Sequence, residues 1–163
     1  KQVLQINTIK DFENNFSNNQ NSDVEIYNLS DIKKDSEIYG LKVVSVDYKK
    51  GEYFSIQYSG KFSISGKLMY NDFEDSYDIY IDENQYPNVK INVEGKEYVL
   101  FMSLYVKNFD KMKKNMTSEQ IQKLNSGNNI EVSLEAENLT TGEFLNDGGG
   151  RIGSGAVDFV KFN

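Results

Sequence analysis

The stretch from Phe54 to Tyr70 alternates between apolar and polar side chains, and this period of two limits the possible folds more than any other feature. One parity carries aromatic and branched apolar residues, while the other carries mostly serine, lysine and glutamine. Such alternation is typical of a strand with one face on a core. Gly60 and Gly66 fall on the apolar parity. Either Ser59 and Gly60 turn a hairpin, or one long strand bends at the glycines, as barrel strands do.

Further strands are predicted on both sides of this stretch, with one helical segment late in the chain. The apolar pattern predicts strands at 41–48, 77–82, 89–93, 98–106, 130–137 and 156–162. Gly95 and Lys96 suit a two-residue hairpin turn with glycine first. Phe109, Met112 and Met116 follow a helical spacing, and Thr117 begins a capping-box sequence. The predicted fold is therefore mainly β with one helical insertion.

A helical segment between the third and fourth strands of a small Greek-key barrel is the plan of the OB-fold. The sequences from Gly60 to Leu68 (GKFSISGKL) and from Leu124 to Val132 (LNSGNNIEV) carry the resemblance. They resemble stretches of OB-like domains in exported lipoproteins of Gram-positive-type bacteria, over residues 38–162. The excursion from Asn71 to Lys96 departs from that compact plan. An immunoglobulin-like β-sandwich, which is also frequent in surface lipoproteins, is the alternative.

The domain organisation follows from composition along the chain. Residues 1–24 combine a start with scattered apolar residues and a polar, asparagine-rich run from Asn14 to Asp23. Such a run has too little apolar surface to offset the entropy of ordering. We therefore expect an N-terminal segment and polar tether at 1–24 and a single β-rich domain at 25–163.

The residue types that the chain lacks limit the catalytic mechanisms and the metal sites that it can form. The sequence has no His, Cys or Trp. It therefore has no histidine-activated nucleophile and none of the usual ligands for zinc, copper or haem. The net charge of -7 opposes binding to nucleic acid phosphates. No apolar run of about 18 residues predicts a membrane span. We expect a protein that is not an enzyme and does not bind nucleic acid.

An acidic segment in the middle of the chain is the candidate metal site, and calcium is the one cofactor it suggests. Hard oxygen ligands follow roughly the spacing of a calcium loop. However, Tyr77 occupies the position at which such a loop needs glycine. The predicted metal ligands are Asp72, Glu74, Asp78, Asp82 and Glu83.

The candidate ligand-binding residues are one arginine and several outward-facing aromatics. Arg151, the only arginine, lies in a glycine-rich loop, and its planar guanidinium suits a carboxylate or phosphate. The strand parity places aromatic rings that can stack on sugars or on a partner's side chains on the outer face. These are Tyr53, Tyr80, Phe101 and Tyr105.

A small hydrolase that uses paired carboxylates is a further alternative. Its acid-base residues would come from Glu131, Glu135 and Glu137, or from Asp78 with Asp82, because these share one face of a strand. The same alternation is also what any solvent-facing strand shows.

Together these features predict a non-catalytic binding or adaptor module outside the cytoplasm, the soluble part of a bacterial lipoprotein or surface protein. The expected partner is a protein or a cell-envelope component. The lipoprotein resemblance implies lipid anchoring at the cell membrane. A calcium-dependent binding module and the small hydrolase are the alternatives.

Overall fold

A computed structural model describes residues 23–146 and 153–163 of the chain. Most of the predicted tether at 1–24 lies outside these residues. The described part contains strands and two short α-helices. They are β1 (Glu25–Asn28), β2 (Glu37–Ile38), β3 (Leu41–Lys49), β4 (Tyr53–Ser59), β5 (Lys61–Asn71), β6 (Ser76–Ile81), β7 (Val89–Val93), β8 (Lys96–Val99), β9 (Ser103–Val106), α1 (Phe109–Lys113), α2 (Ser118–Asn125), β10 (Ile130–Phe144) and β11 (Ser154–Phe162).

Five of these strands form a closed barrel. Around it the order is β5, β6, β9, β11 and β10, and β10 pairs with β5 to complete the circle. Neighbours are antiparallel except β9 and β11, which run parallel. The two helices lie between the third and fourth barrel strands, β9 and β10. The prediction of a mainly β, OB-like barrel with a helical insertion is confirmed, and the sandwich alternative is not what forms.

The alternating stretch is one long bent strand rather than a hairpin. Both β4 and β5 pair antiparallel with β10, β5 with its first half and β4 with its second. Gly60 lies between them with a φ of +115°. At Gly66 an added Cβ atom would lie 2.3 Å from the carbonyl oxygen of Tyr80. Because a side chain fits neither the backbone angle nor this close approach, glycine allows the strand to coil into the barrel.

The excursion from Asn71 to Lys96 contributes a second sheet. In it β7 pairs parallel with β1 and antiparallel with β8. The turn between β7 and β8 consists of Glu94 and Gly95, at φ values of +53° and +84°, so the turn predicted at Gly95 and Lys96 is displaced by one residue. The inward parity of β7, Val89, Ile91 and Val93, is buried in the same core as the barrel residues.

The helical segment consists of two helices, and the second begins at the capping box that its sequence predicts. The Thr117 hydroxyl accepts a hydrogen bond from the N–H of Gln120, and the Gln120 side chain accepts one from the N–H of Thr117. The ring of Phe109 in α1 stacks on Tyr77 at a centroid distance of 3.6 Å, and Met112 is fully buried. The helices therefore pack onto the barrel. Within 23–146 and 153–163, no helix has the length and hydropathy needed to cross a bilayer.

Candidate functional site

Two exposed tyrosines lie next to each other on the outer face of the second and third barrel strands. Tyr105 in β9 is directly opposite Asp78 in β6, which makes Tyr80, two residues further along β6, its diagonal neighbour. Tyr80 and Tyr105 are 41% and 42% exposed. Diagonal pairs on a sheet are close enough for aromatic side chains to form a shared surface. We call these two residues the tyrosine face.

The buried side chain of Asp78 lies on the same side of β6 as Tyr80 and directly opposite Tyr105. Its Oδ2 accepts a hydrogen bond of 2.9 Å from Asn71 Nδ2, and its Oδ1 accepts one of 3.0 Å from the Ser76 hydroxyl. The Asn71 Oδ1 in turn accepts from the N–H of Phe73 at 3.1 Å. Asp78 therefore connects the face to the turn between β5 and β6, where Phe73 is 86% exposed.

The predicted calcium ligands do not converge in the described residues. Asp72 and Glu74 lie in the turn between β5 and β6, whereas Asp82 and Glu83 follow the other end of β6. Asp78 belongs to β6 itself, where Asn71 and Ser76 already bind its carboxylate. Within 23–146 and 153–163, no group of three or more acidic side chains is placed to hold a metal ion.

The other predicted aromatics are not part of the tyrosine face. Tyr53 lies in β4, opposite Phe144 at the far end of β10, and its hydroxyl donates to Asp47 at 3.2 Å. Phe101 was expected to face outward, and this is wrong: it is 1% exposed and packs edge-on against Tyr39. It precedes β9 rather than lying within it, so the strand parity does not apply to it.

Arg151 and the glycines before it lie outside the described residues. The chain is described again from Gly153, and β11 begins at Ser154. Ser154 pairs with Ser103, which is the cross-strand neighbour of Tyr80. Ser154 is therefore in the strand next to β9, which carries Tyr105.

The glutamates proposed for hydrolysis line the outer parity of β10. Glu131 is paired in register with Lys67, and Glu137 with Lys61. Lys61 also forms an ion pair with Glu135 at 3.4 Å. Lysines thus alternate with carboxylates on this surface, and the arrangement is that of a solvated sheet face.

Sequence reasoning missed a groove of about 430 Å³ beside the β7–β8 turn. Glu94 forms one wall, and its Oε1 accepts hydrogen bonds from the Tyr48 hydroxyl at 2.6 Å and from the N–H of Gly51 at 2.8 Å. These two bonds, the first above all, hold the pKa of Glu94 below its usual value, and the bond to Glu94 raises the pKa of Tyr48. The lining residues are Asn28, Leu29, Ser30, Val46, Tyr48, Asn92, Val93, Glu94 and Gly95.

No signal in the sequence joins these residues, because they come from three separate segments. The parallel pairing of β1 with β7 joins two of them, and the hydrogen bond between Tyr48 and Glu94 attaches the third.

Comparison with known proteins gives no further assignment of either site. No protein-family model matches the chain, and neither curated proteins nor solved structures give a significant match.

Proposed function

We propose that this protein is a non-catalytic binding or adaptor module that acts outside the cytoplasm, and that its partner binds the tyrosine face. The observation that carries the proposal is the pair of neighbouring, exposed tyrosines on the second and third strands of an OB-type barrel. In this fold, that face and the two loops beside it are where ligands bind. The ligand class that we propose is a protein segment or a cell-envelope component.

The chemistry of the tyrosine face favours stacking and hydrogen bonding over charge. Tyrosine offers a large apolar ring with a polar tip at a low cost in side-chain entropy, and aromatic residues are enriched in binding hot spots. Asp78, which is directly opposite Tyr105, and Asn71 fix the turn that carries Phe73, which reduces the ordering needed on binding there. The net charge of -7 disfavours polyanionic ligands.

The extracytoplasmic location and lipid anchoring rest on the resemblance to exported lipoprotein domains and on the polar composition of 1–24. They belong to the proposal rather than to the observed geometry. Fractionation of cells that express the natural gene tests them, since recovery in the cytoplasmic fraction would contradict this part while leaving the binding test unaffected.

The binding proposal is tested by retention of envelope proteins and polymers on the immobilised domain. We expect specific retention by the wild type and at least a tenfold loss with Tyr80→Ala/Tyr105→Ala. The matched control is Tyr53→Ala, which removes a tyrosine from the same sheet away from the tyrosine face and should retain the partner. Equal retention by all three proteins would refute the proposal.

The same preparation distinguishes the alternatives. A binding signal that EDTA abolishes and calcium restores would indicate the calcium-dependent module. Turnover of a retained polymer would indicate the hydrolase, and Glu135→Gln would then be the first variant to assay.

A further inference from the structure

The groove beside Glu94 is separate from the tyrosine face, and we propose that it binds an uncharged pyranose sugar. The sugar ring would lie against the side chain of Tyr48, and its hydroxyl groups would donate hydrogen bonds to the carboxylate of Glu94. The volume of about 430 Å³ is within the range of small-molecule sites. This inference does not depend on the proposed function, because the groove lies between β3 and the β1–β7–β8 sheet.

The groove wall is held in place before any ligand arrives. Tyr48 is 43% exposed, yet its hydroxyl is bound to Glu94, which fixes the orientation of the ring. Glu94 adopts a left-handed backbone conformation with φ of +53°, at a turn position that normally selects glycine or asparagine. The carboxylate of this glutamate connects Tyr48 with Gly51. Backbone strain of this kind is concentrated at ligand-binding sites.

The hydrogen-bond inventory of the groove determines the chemistry of its ligand. Three side-chain donors of the groove each make one hydrogen bond: Asn92 Nδ2 donates to Asn28 Oδ1 at 3.1 Å, Asn28 Nδ2 to Asp31 at 3.3 Å, and the Tyr48 hydroxyl to Glu94. Acceptors are left over. Both bonds of Glu94 use Oε1, and Asn92 Oδ1 is buried without a partner in the described part of the chain. The Ser30 hydroxyl also lines the groove. A ligand whose groups both donate and accept hydrogen bonds, as hydroxyl groups do, therefore matches the groove.

Hydroxyl donors fit better than an ammonium group. Lys50 and Lys96 are close enough to contribute to the lowered pKa of Glu94, so positive charge is already present beside this carboxylate. The partly buried side chain of Val46 and the ring of Tyr48 provide a surface for the C–H face of a sugar ring. An uncharged ring with one apolar face and several hydroxyls is a pyranose, either free or at the end of a polysaccharide.

The test is a titration of the ¹⁵N-labelled protein followed by amide NMR, with glucose, N-acetylglucosamine and 1,5-diaminopentane as separate probes. We expect a sugar to shift the amides of Gly51 and Gly95 and the side-chain amides of Asn28 and Asn92, with a Kd on the order of 1 mM, as expected for a ligand of this size. A tetrasaccharide of the same unit distinguishes the two sources, since tighter binding of the tetrasaccharide indicates a polymer end.

Two variants make the assignment specific. Tyr48→Leu removes the stacking surface and should weaken binding at least tenfold, and Glu94→Gln, which keeps the shape of the side chain, should weaken it as well. Tyr70→Leu, a change of another exposed tyrosine outside the groove, should leave the Kd unchanged. The proposal is overturned if no sugar shifts the groove amides at 50 mM (about 50 times the expected Kd), if the diamine binds more tightly, or if the sugar shifts only residues of the tyrosine face.

Discussion

Tyr58 in β4 is a buried phenol whose hydroxyl has no hydrogen-bond partner in the described residues. Its side chain is 2% exposed, and Thr141 Oγ1 on the neighbouring strand β10 is equally unpaired. A buried polar group without a partner costs about 1–3 kcal/mol of desolvation. We therefore expect Tyr58→Phe to leave stability unchanged at pH 7 or to raise the free energy of unfolding by about 1 kcal/mol, although it deletes a hydroxyl group.

The contribution of Tyr58 to the free energy of unfolding depends on pH, and the direction of this dependence follows from its pKa. Burial raises the pKa of Tyr58 from 10.0 to about 12, and the hydroxyl of Thr141, which can donate to the phenolate, acts in the opposite direction. A pKa that is higher in the folded state means that the unfolded state loses its proton first. The contribution of Tyr58 is therefore complete below pH 10 and is lost as the pH rises towards 12. Two pKa units correspond to about 2.7 kcal/mol, of which about half is lost by pH 11.

The assay is urea unfolding of the wild type and Tyr58→Phe between pH 8 and pH 11. Other tyrosines with raised pKa values, such as Tyr39, and the lysines affect both proteins alike, so the difference between the two isolates Tyr58. We expect that difference to shift in favour of the variant by about 1.4 kcal/mol between pH 9 and pH 11. Parallel pH curves would refute the reasoning, as would a loss of more than about 1 kcal/mol in the variant at pH 7, since an ordinary hydrogen bond contributes that much.

Three further predictions test the account of the fold by thermal or urea unfolding. Gly66→Ala should lower the free energy of unfolding by about 3 kcal/mol or more, because its Cβ would lie 2.3 Å from a backbone oxygen of β6. Gly95→Ala, which has open space but a left-handed φ of +84°, should lower it by only about 1 kcal/mol. Equal losses in the two variants would contradict this. Thr117→Ala removes the cap of α2 and should cost about 1 kcal/mol, and no change would show that the capping box does not stabilise this helix. Asn71→Asp should be less stable than Asn71→Ala at pH 7 because it places a second carboxylate beside Asp78, and the order should reverse or disappear at pH 3; an unchanged order there would argue against charge repulsion.

Local patterns in the sequence were sufficient for most strands and for the helical cap, and the order of these elements indicated the OB-like barrel. The alternation from Phe54 to Tyr70 and the cap at Thr117 depend on neighbours in the chain and were found where predicted. Of the two alternatives at Gly60, a hairpin or a bent strand, the bent strand forms. The second sheet was not predicted, because β1 is a strand of four residues that are mostly exposed, and no apolar alternation marks it as a partner for β7. Alternation indicates which face of a strand is buried but not which distant strand will cover it.

The candidate site residues were likewise predictable only where a regular strand determines which side chains face outward. Tyr80 and Tyr105 were recognisable because both lie in regular strands, where parity determines which side faces out. Phe101 was misjudged because it lies just before β9, outside the regular strand. Asp78 is on the outward parity but is buried, since Asn71 and Ser76 fold over its carboxylate. The groove at Glu94 depends on a turn shifted by one residue and on contacts between three segments, which no periodic pattern reveals.

The position of β11 in the barrel has a consequence for how the chain folds during synthesis. This strand is the last of the barrel strands along the chain, yet it is the one that joins β9 to β10. Until residues 154–162 have left the ribosome, β9 and β10 each present an unpaired edge, and open edges of this kind recruit strands from other molecules. The barrel therefore closes only after residues 154–162 have been translated, so a chain stalled before Ser154 should aggregate or be captured by a chaperone, whereas a chain that includes β11 should not.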